Sequence, residues 1–482
     1  MINFRIIARI FSLLIIAEGF FMLVSAAVSY IYQEPATSSF LYSALITLLT
    51  GIIAFTPARN AEKITGKKEG YLIITGGWVI FTLFGTLPYL LSGTISDFTD
   101  AFFESISGFT TTGATIFRDV EILPHGILFW RSLTQWIGGM GVIFISLYVL
   151  PVFKTIFIQL PAGDFSGQQA EKIHPRIKDV AKRLIIIYAI LTLSEALMLA
   201  LSGVPVFDSV CLSFSTMSTG GFSTANNGIT AFALPFTTII LTLYMFIAGM
   251  SMTYIYHGLK RDFRKITGSN EIIFYSAVCL TFMVIVSGIL YFMNGVPAGK
   301  SIIQGSFHVI SIVTTTGFYV HDNQLWNHLL MIIFFALMLT GGTSGSPSGG
   351  FKSMRLLIVI KNSRSELSRL LHPYAFIPVK LDKKILNQTI VFNVLVFISF
   401  TFFIICASSL LISFMGYDII ESFSTSVSML ANIGPGMGAS GIFTNFSEMP
   451  AAGKWFMSGL MLLGRLEILT VLVLFTRSFY RT

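Results

Sequence analysis

The chain has 482 residues, of which 54% are hydrophobic and only 11% charged, and its mean hydropathy is +0.78. Soluble domains carry about 25% charged residues, so this composition excludes an ordinary soluble fold. The net charge of +8 is spread over short linkers, a pattern of membrane topology and not of nucleic-acid binding. Cys211, Cys279 and Cys406 lie scattered in apolar surroundings, which excludes a disulfide framework or a cysteine metal site.

A membrane span needs about 20 mostly apolar residues. Two such runs come first, at 6–32 and 39–57, with a turn around Pro35 between them. The first is too long for a cleaved signal and reads as a retained span. The basic linker Pro57-Ala58-Arg59 with Lys63, Lys67 and Lys68 follows. A unit then recurs four times: a span, a short re-entrant stretch ending on glycine, and a second span. The spans are expected at 70–93 and 127–152, at 181–203 and 234–258, at 272–294 and 326–359, and at 389–415 and 454–477. The chain therefore divides into 1–69, an amino-terminal pair of spans with its linker, and four repeats at 70–180, 181–266, 267–385 and 386–482. Phe129-Trp130, Leu325-Trp326 and Trp455 open three of the second spans, and tryptophan at such places suits a membrane–water interface.

The re-entrant stretches run from Asp100 to Gly113, Asp208 to Gly221, Gln304 to Gly317 and Glu421 to Gly434, with one spacing. Self-similarity of this kind decides the architecture. Non-helical backbone is tolerated at membrane depth only where it is buried in protein or lines a watery cavity. Four such breaks around one axis would form a ring of backbone carbonyls able to replace the water shell of a monovalent cation. Glycine permits the positive φ that turns carbonyls inward, and the threonines beside it would add hydroxyl oxygens. Lys and Arg sort to the linkers on one face and Asp97, Asp100, Asp119, Glu121, Asp208 and Asp322 to the other. The linkers and the amino terminus are thus expected in the cytoplasm, with the glycine motifs towards the outside.

The motifs TTTGAT at Thr110–Thr115, STGGFST at Ser218–Thr224, TTTGFY at Thr314–Tyr319 and NIGPG at Asn432–Gly436 resemble those of the Trk/Ktr/HKT superfamily of potassium transporters. The two additional amino-terminal spans are similar to those of its bacterial TrkH/TrkG-type members. The resemblance covers essentially the whole chain. It implies an all-α membrane protein of four linked helix–pore-loop–helix repeats around a central pore, plus two amino-terminal transmembrane helices. Its K⁺ filter maps to Thr111, Thr112 and Gly113, to Thr219, Gly220 and Gly221, to Thr315, Thr316 and Gly317, and to Asn432, Ile433 and Gly434. The tandem Gly220-Gly221 leaves the second register open. Sodium-selective plant members carry serine at the first filter glycine, so Gly113 favours potassium.

Residues 340–352 are rich in glycine, serine and proline inside the second span of repeat three, where little favours a helix. The resemblance makes this stretch a gate, formed by Ser344, Gly345, Ser346, Pro347, Ser348, Gly349 and Gly350, with Arg465 of the last span facing the pore beside it. Glu104, Glu421, Arg131 and Lys454 are expected in ion pairs between units near the pore mouth, His308 as a hydrogen-bonding core residue, and Glu18 and Glu195 as pairing or cavity-facing acids.

The resemblance further implies inward K⁺ transport across a bacterial inner membrane, a homodimer with one pore per chain, and membrane lipid around it. It also implies a cytosolic TrkA-type regulatory ring binding NAD and ATP. The chain itself lacks the lysine of a phosphate-binding loop, so no cofactor is expected on it. The basic segments Lys172–Arg183, Lys260–Lys265 and Lys361–Lys384 are the expected docking surface. A coupled H⁺ or Na⁺ symporter of potassium, or an organic-solute carrier, is the alternative. No HExxH or paired aspartates mark an enzyme.

Overall fold

The computed structural model describes residues 2–60, 66–152, 173–232, 234–320, 328–382, 384–438, 441–443 and 445–480. Lys63, Lys154, Lys172, Asp322 and the Leu325-Trp326 pair lie outside them. Helices α1 (Phe4–Ile31) and α2 (Ala36–Ala58) form the amino-terminal pair. Unit one holds α3 (Lys67–Gly85), the short α4 (Leu87–Leu91), α5 (Phe98–Phe109) and α6 (His125–Val152). Unit two holds α7 (Ile173–Leu201), α8 (Val206–Met217), α9 (Pro235–Ala248) and α10 (Met252–Leu259), followed by the linker helix α11 (Phe263–Thr267). Unit three holds α12 (Asn270–Phe292), α13 (Ala298–Val313), α14 (His328–Met338) and α15 (Ser353–Leu371). Unit four holds α16 (Gln388–Phe414), α17 (Ile419–Ala431), α18 (Ala451–Arg465), α19 (Ile468–Leu472) and the terminal α20 (Arg477–Tyr480). Among the described residues six helices are long and apolar enough to cross a membrane, and eight if each sharply bent pair counts as one span.

The short helices α5, α8, α13 and α17 occupy the centre. Nine consecutive residues of α5, from Ala101 to Phe109, are buried, as are nine of the last ten of α17. The spanning helices form the rim and leave Leu, Ile and Phe side chains exposed, as lipid contact requires. Among the described residues, extended structure is confined to two short antiparallel pairs, Lys380–Leu381 with Lys384–Ile385 and Gly436–Gly438 with Gly441–Phe443, and to isolated bridges at Thr115–Asn445 and Gly228–Val320.

The second spans are less regular than their hydropathy. The runs at 234–258 and 454–477 are not single helices: α9 meets α10 at 105° and α18 meets α19 at 111°. At the first break the Gly249 carbonyl accepts the N–H of Thr343 at 2.8 Å, an acceptor the helix would otherwise use itself. Ser251 then caps α10 through Thr253 N–H. At the second, Glu467 adopts φ +60° and ends the ladder. Hydropathy reports burial in lipid and is blind to such turns. Trp130 is also displaced from the expected interface. It is fully buried and donates to the Gly85 carbonyl at 3.2 Å.

Among the contacts that join the amino-terminal pair to the pore, one sits at the turn after α1. Glu34, in the turn after α1, accepts the backbone N–H of His125 at 2.6 Å and of Gly126 at 3.0 Å. These are orphan donors at the start of α6, where a carboxylate also complements the helix dipole. Tyr32 stacks on the His125 ring at 4.0 Å. Glu34→Ala should cost about 1–2 kcal/mol of stability. This is checked as a lowered melting temperature in detergent, and an unchanged melt would remove the fastening role.

Candidate functional site

The four re-entrant segments close a circle. A methyl group added at Gly113 would collide with the carbonyl oxygen of Gly220, and one at Gly221 with that of Thr316. One at Gly317 would meet the carbonyl of Ile433, and one at Gly434 that of Thr112. Each unit's glycine thus faces the backbone carbonyl of the next unit, and the fourth returns to the first. The glycine φ angles are +82°, +81°, +78° and +100° in chain order. The residue two before each is also left-handed: Thr111 at +52°, Thr219 at +55°, Thr315 at +56° and Asn432 at +55°. A left-handed non-glycine residue costs about 1–2 kcal/mol, so four in register mark an enforced conformation. Alternating hands turn successive carbonyls to one side. The register left open by Gly220-Gly221 follows from this pattern: Gly220 occupies the place of Thr112, Thr316 and Ile433.

Each circle segment begins where a buried helix ends. The carboxyl ends of α5, α8, α13 and α17 present partial negative charge to the shared axis. The side chains of the motif divide their work. Thr112 and Thr316 do not add hydroxyls to the circle. The Thr112 hydroxyl lies 2.8 Å from that of Thr110 and accepts the Asn432 amide at 2.9 Å, while Thr316 pairs with Thr314 at 2.8 Å. These contacts brace the ring from behind. One level inward, Thr111 Oγ1 is buried without a hydrogen-bond partner among the described residues, and Thr315 Oγ1 accepts the N–H of Gly349 at 2.7 Å.

That last bond joins the circle to the interrupted span. The stretch between α14 and α15 lies directly beneath the circle and touches units two, three and four. Thr343 exchanges hydrogen bonds with Gly249 and Ser251 of unit two, the Ser251 N–H reaching Thr343 Oγ1 at 2.7 Å. Ser344 N–H donates to Glu271 at 2.5 Å. A methyl at Gly349 would strike the Ala431 carbonyl at the end of α17. Ser346 and Ser348 are buried and paired at 2.7 Å, and Lys352 Nζ caps the carbonyls of Ser346 and Ser348. Gly345 and Gly350 take φ of +85° and +71°, which permits the tight path around Pro347.

Arg465 closes this layer. It ends α18 at the bend, 7% exposed, and donates to the Pro347 carbonyl at 2.6 Å and to the Gly138 carbonyl at 3.0 Å. One guanidinium therefore ties the loop, unit four and unit one together, with Nε unpartnered among the described residues. Glu467 is not its partner. That carboxylate pairs with Arg355 of α15 at 2.8 Å.

The remaining charges fall as follows. Glu104 and Arg131 form a fully buried pair at 2.8 Å, within unit one and not between units, although Arg131 also donates to Ser223 O of unit two at 3.3 Å. Lys454 of unit four pairs with Asp100 of unit one at 2.5 Å. Glu421 joins no ion pair among the described residues. Glu18 and Glu195 are buried, and neither joins an ion pair among the described residues. At the outer mouth the Asn226 amide, donating to Asp119 at 2.7 Å, holds that carboxyl below its usual range.

Several contributors escape a reading of the sequence. Gln135 of α6 donates to Gly220 O at 2.7 Å and accepts the Phe222 N–H at 3.2 Å, supporting the segment without threonine support. A lone glutamine ahead of Gly138-Gly139 was its only signal. Glu271 reads as an ordinary acid in a first helical turn, and Lys352 as one more topogenic cation.

The chain matches the family model described as TrkH, cation transport protein, over residues 38–479. This chain belongs to the TrkH cation transport family. It is 35% identical over 483 residues to the Trk system potassium uptake protein TrkH of Salmonella typhimurium, covering 99% of this chain and 100% of that protein. It is 29% identical to the TrkG protein of Escherichia coli, over 99% of both. The crystal structure of the potassium transporter TrkH from Vibrio parahaemolyticus superposes with a TM-score of 0.92 at 31% identity, covering 100% of each chain. The four-repeat, all-helical membrane fold is thus that of the TrkH family.

Two outcomes follow from this geometry. Gly221→Ala places a methyl against Thr316 O in a left-handed residue, so the circle must open. Cation uptake into proteoliposomes should then lose discrimination between K⁺ and Na⁺. Arg131→Leu leaves Glu104 buried without its cation and should destabilise the fold by roughly 3–5 kcal/mol, read as a large fall in melting temperature.

Proposed function

We propose that this chain carries potassium inward across a bacterial inner membrane, through a selective and gated channel-like path. The observation that carries this reading is the closed sequence of glycine-to-carbonyl approaches from Gly113 to Gly434. Such a ring suits a dehydrated monovalent cation, because carbonyl dipoles replace its hydration shell. The Trk names of the relatives support potassium as the ion.

The loop between α14 and α15 acts as the gate, with Gly345, Ser346, Pro347, Ser348, Gly349 and Gly350 at its centre. Arg465 holds it closed in two ways. Its hydrogen bond to Pro347 O fixes the loop beneath the circle. Its positive charge, in a setting of low dielectric, opposes a cation descending from the filter. The loop is anchored by hydrogen bonds and glycine contacts and not by an apolar core of its own, which supports a small free-energy difference between closed and displaced states.

A cytosolic TrkA-type ring binding NAD or ATP would bias that equilibrium from below, and two chains would pair with one pore each. The exposed cations around Lys260–Lys265 and along Lys361–Lys384 support docking of such a ring. Lys154 and Lys172 fall outside the described residues. The amino terminus lies in the cytoplasm in this arrangement.

Arg465→Ala should raise basal potassium flux in proteoliposomes of the purified chain. Unchanged or lower flux in a folded variant would remove the gate role. Growth of a potassium-uptake-deficient strain on low potassium, together with rubidium uptake, tests the transport reading itself. Failure of both would overturn it.

A further inference from the structure

The outer rim of the circle is held by a feature that recurs along the chain with changing chemistry. Glu104 stands nine residues before Gly113 and accepts the N–H of Ile116, three residues after it, at 3.0 Å. His308 stands nine before Gly317, and its Nε2 accepts the N–H of Val320, again three after the glycine, at 3.4 Å. Ser424 stands ten before Gly434, and its hydroxyl accepts the N–H of Met437, three after it, at 2.9 Å. Each donor lies on the chain leaving the filter, and each acceptor on the buried helix that enters it.

The acceptor state of each group follows from its other contacts. His308 Nδ1 lies 2.9 Å from the Gln304 carbonyl, which places the ring proton on Nδ1 and leaves the Nε2 lone pair for Val320. Arg131 Nε donates to Glu104 Oε1 at 2.8 Å, and Glu104 Oε2 accepts the Ile116 N–H. Unit two breaks the rule. Leu212 and Cys211 stand at the corresponding places and offer no comparable acceptor, and there Gln135 of α6 takes the Phe222 N–H and the Gly220 carbonyl. The departing chains are also joined in pairs. Thr115 O accepts the Phe446 N–H at 2.9 Å, linking units one and four, and Tyr319 O accepts the Ile229 N–H at 3.3 Å, linking units two and three.

We propose that Glu104, His308 and Ser424 are positioning residues that fix the outer carbonyls of the filter and thereby set its ion discrimination. The physical ground is short. Potassium and sodium are told apart by the number and placement of carbonyl dipoles. A glycine carbonyl free to swing accommodates the smaller ion. The brace reduces that freedom by tying the peptide three residues onward to a buried helix. None of the three side chains need touch the ion. The proposal rests on the potassium-conduction reading.

The test is paired K⁺ and Na⁺ uptake into proteoliposomes of the full chain. Ser424→Ala deletes the acceptor with little change in volume, and Ser424→Thr keeps it. The K⁺/Na⁺ ratio should fall roughly two- to tenfold in the alanine variant, the span of one hydrogen bond's net free energy, and recover in the threonine variant. His308→Leu and His308→Gln form a second such pair, the glutamine oxygen replacing Nε2 as acceptor. If Ser424→Ala or His308→Leu takes up both ions at the native ratio, whether at full or reduced rate, the proposal is overturned. If the wild-type chain takes up no potassium, the conduction reading falls and this proposal with it.

Discussion

Every part of this structure answers to one constraint. Backbone N–H and C=O groups inside a membrane must find partners within the protein. The four filter segments abandon helical bonding in the middle of the molecule, so each of their polar groups needs another destination. The carbonyls preceding the glycines each face the glycine of a neighbouring unit. The N–H groups beyond them are taken by Glu104, Gln135, His308 and Ser424. The left-handed residues at 111, 219, 315 and 432 are the strain that this arrangement stores, and burial of the entering helices holds it in place. The rim of long apolar helices keeps that interior away from lipid.

The same constraint accounts for the loop below. An uncoiled stretch within a span would leave many polar groups stranded. Here its N–H groups reach Thr315, Glu271 and Gly249, and its carbonyls reach Arg465 and Lys352. Partners drawn from several units make the loop dependent on their relative placement. The Arg355–Glu467 pair adds a link between α15, which leaves the loop, and the bend after Arg465.

The repeats are equivalent in backbone and unequal in side chain. The φ pattern is common to all four. Behind it, unit one uses a buried ion pair, unit two a glutamine from its neighbour, unit three a histidine and unit four a serine. Asn432 replaces threonine; its amide reaches across to Thr112 of unit one and also donates to Met461 O of its own unit, both at 2.9 Å. A single covalent chain permits this asymmetry, since each unit occupies a fixed place and can be supported by different means.

The sequence by itself determined the membrane setting, the four units and the residues of the circle, because lipid burial and a repeated glycine leave marks in linear order. Composition and spacing carry those marks without any knowledge of contacts. Tertiary structure alone decided the rest. The bends at Gly249–Ser251 and after Arg465 depend on acceptors from distant segments, so hydropathy read them as continuous spans. The second register at Gly220-Gly221 needed the dihedral angles. The hydroxyls of Thr112 and Thr316 turned to the support behind the ring because Thr110, Thr314 and Asn432 offer partners there. Glu271, Gln135 and Lys352 gained their places from residues far along the chain, and nothing local to them distinguishes a hydrogen bond made across the pore from an ordinary polar side chain.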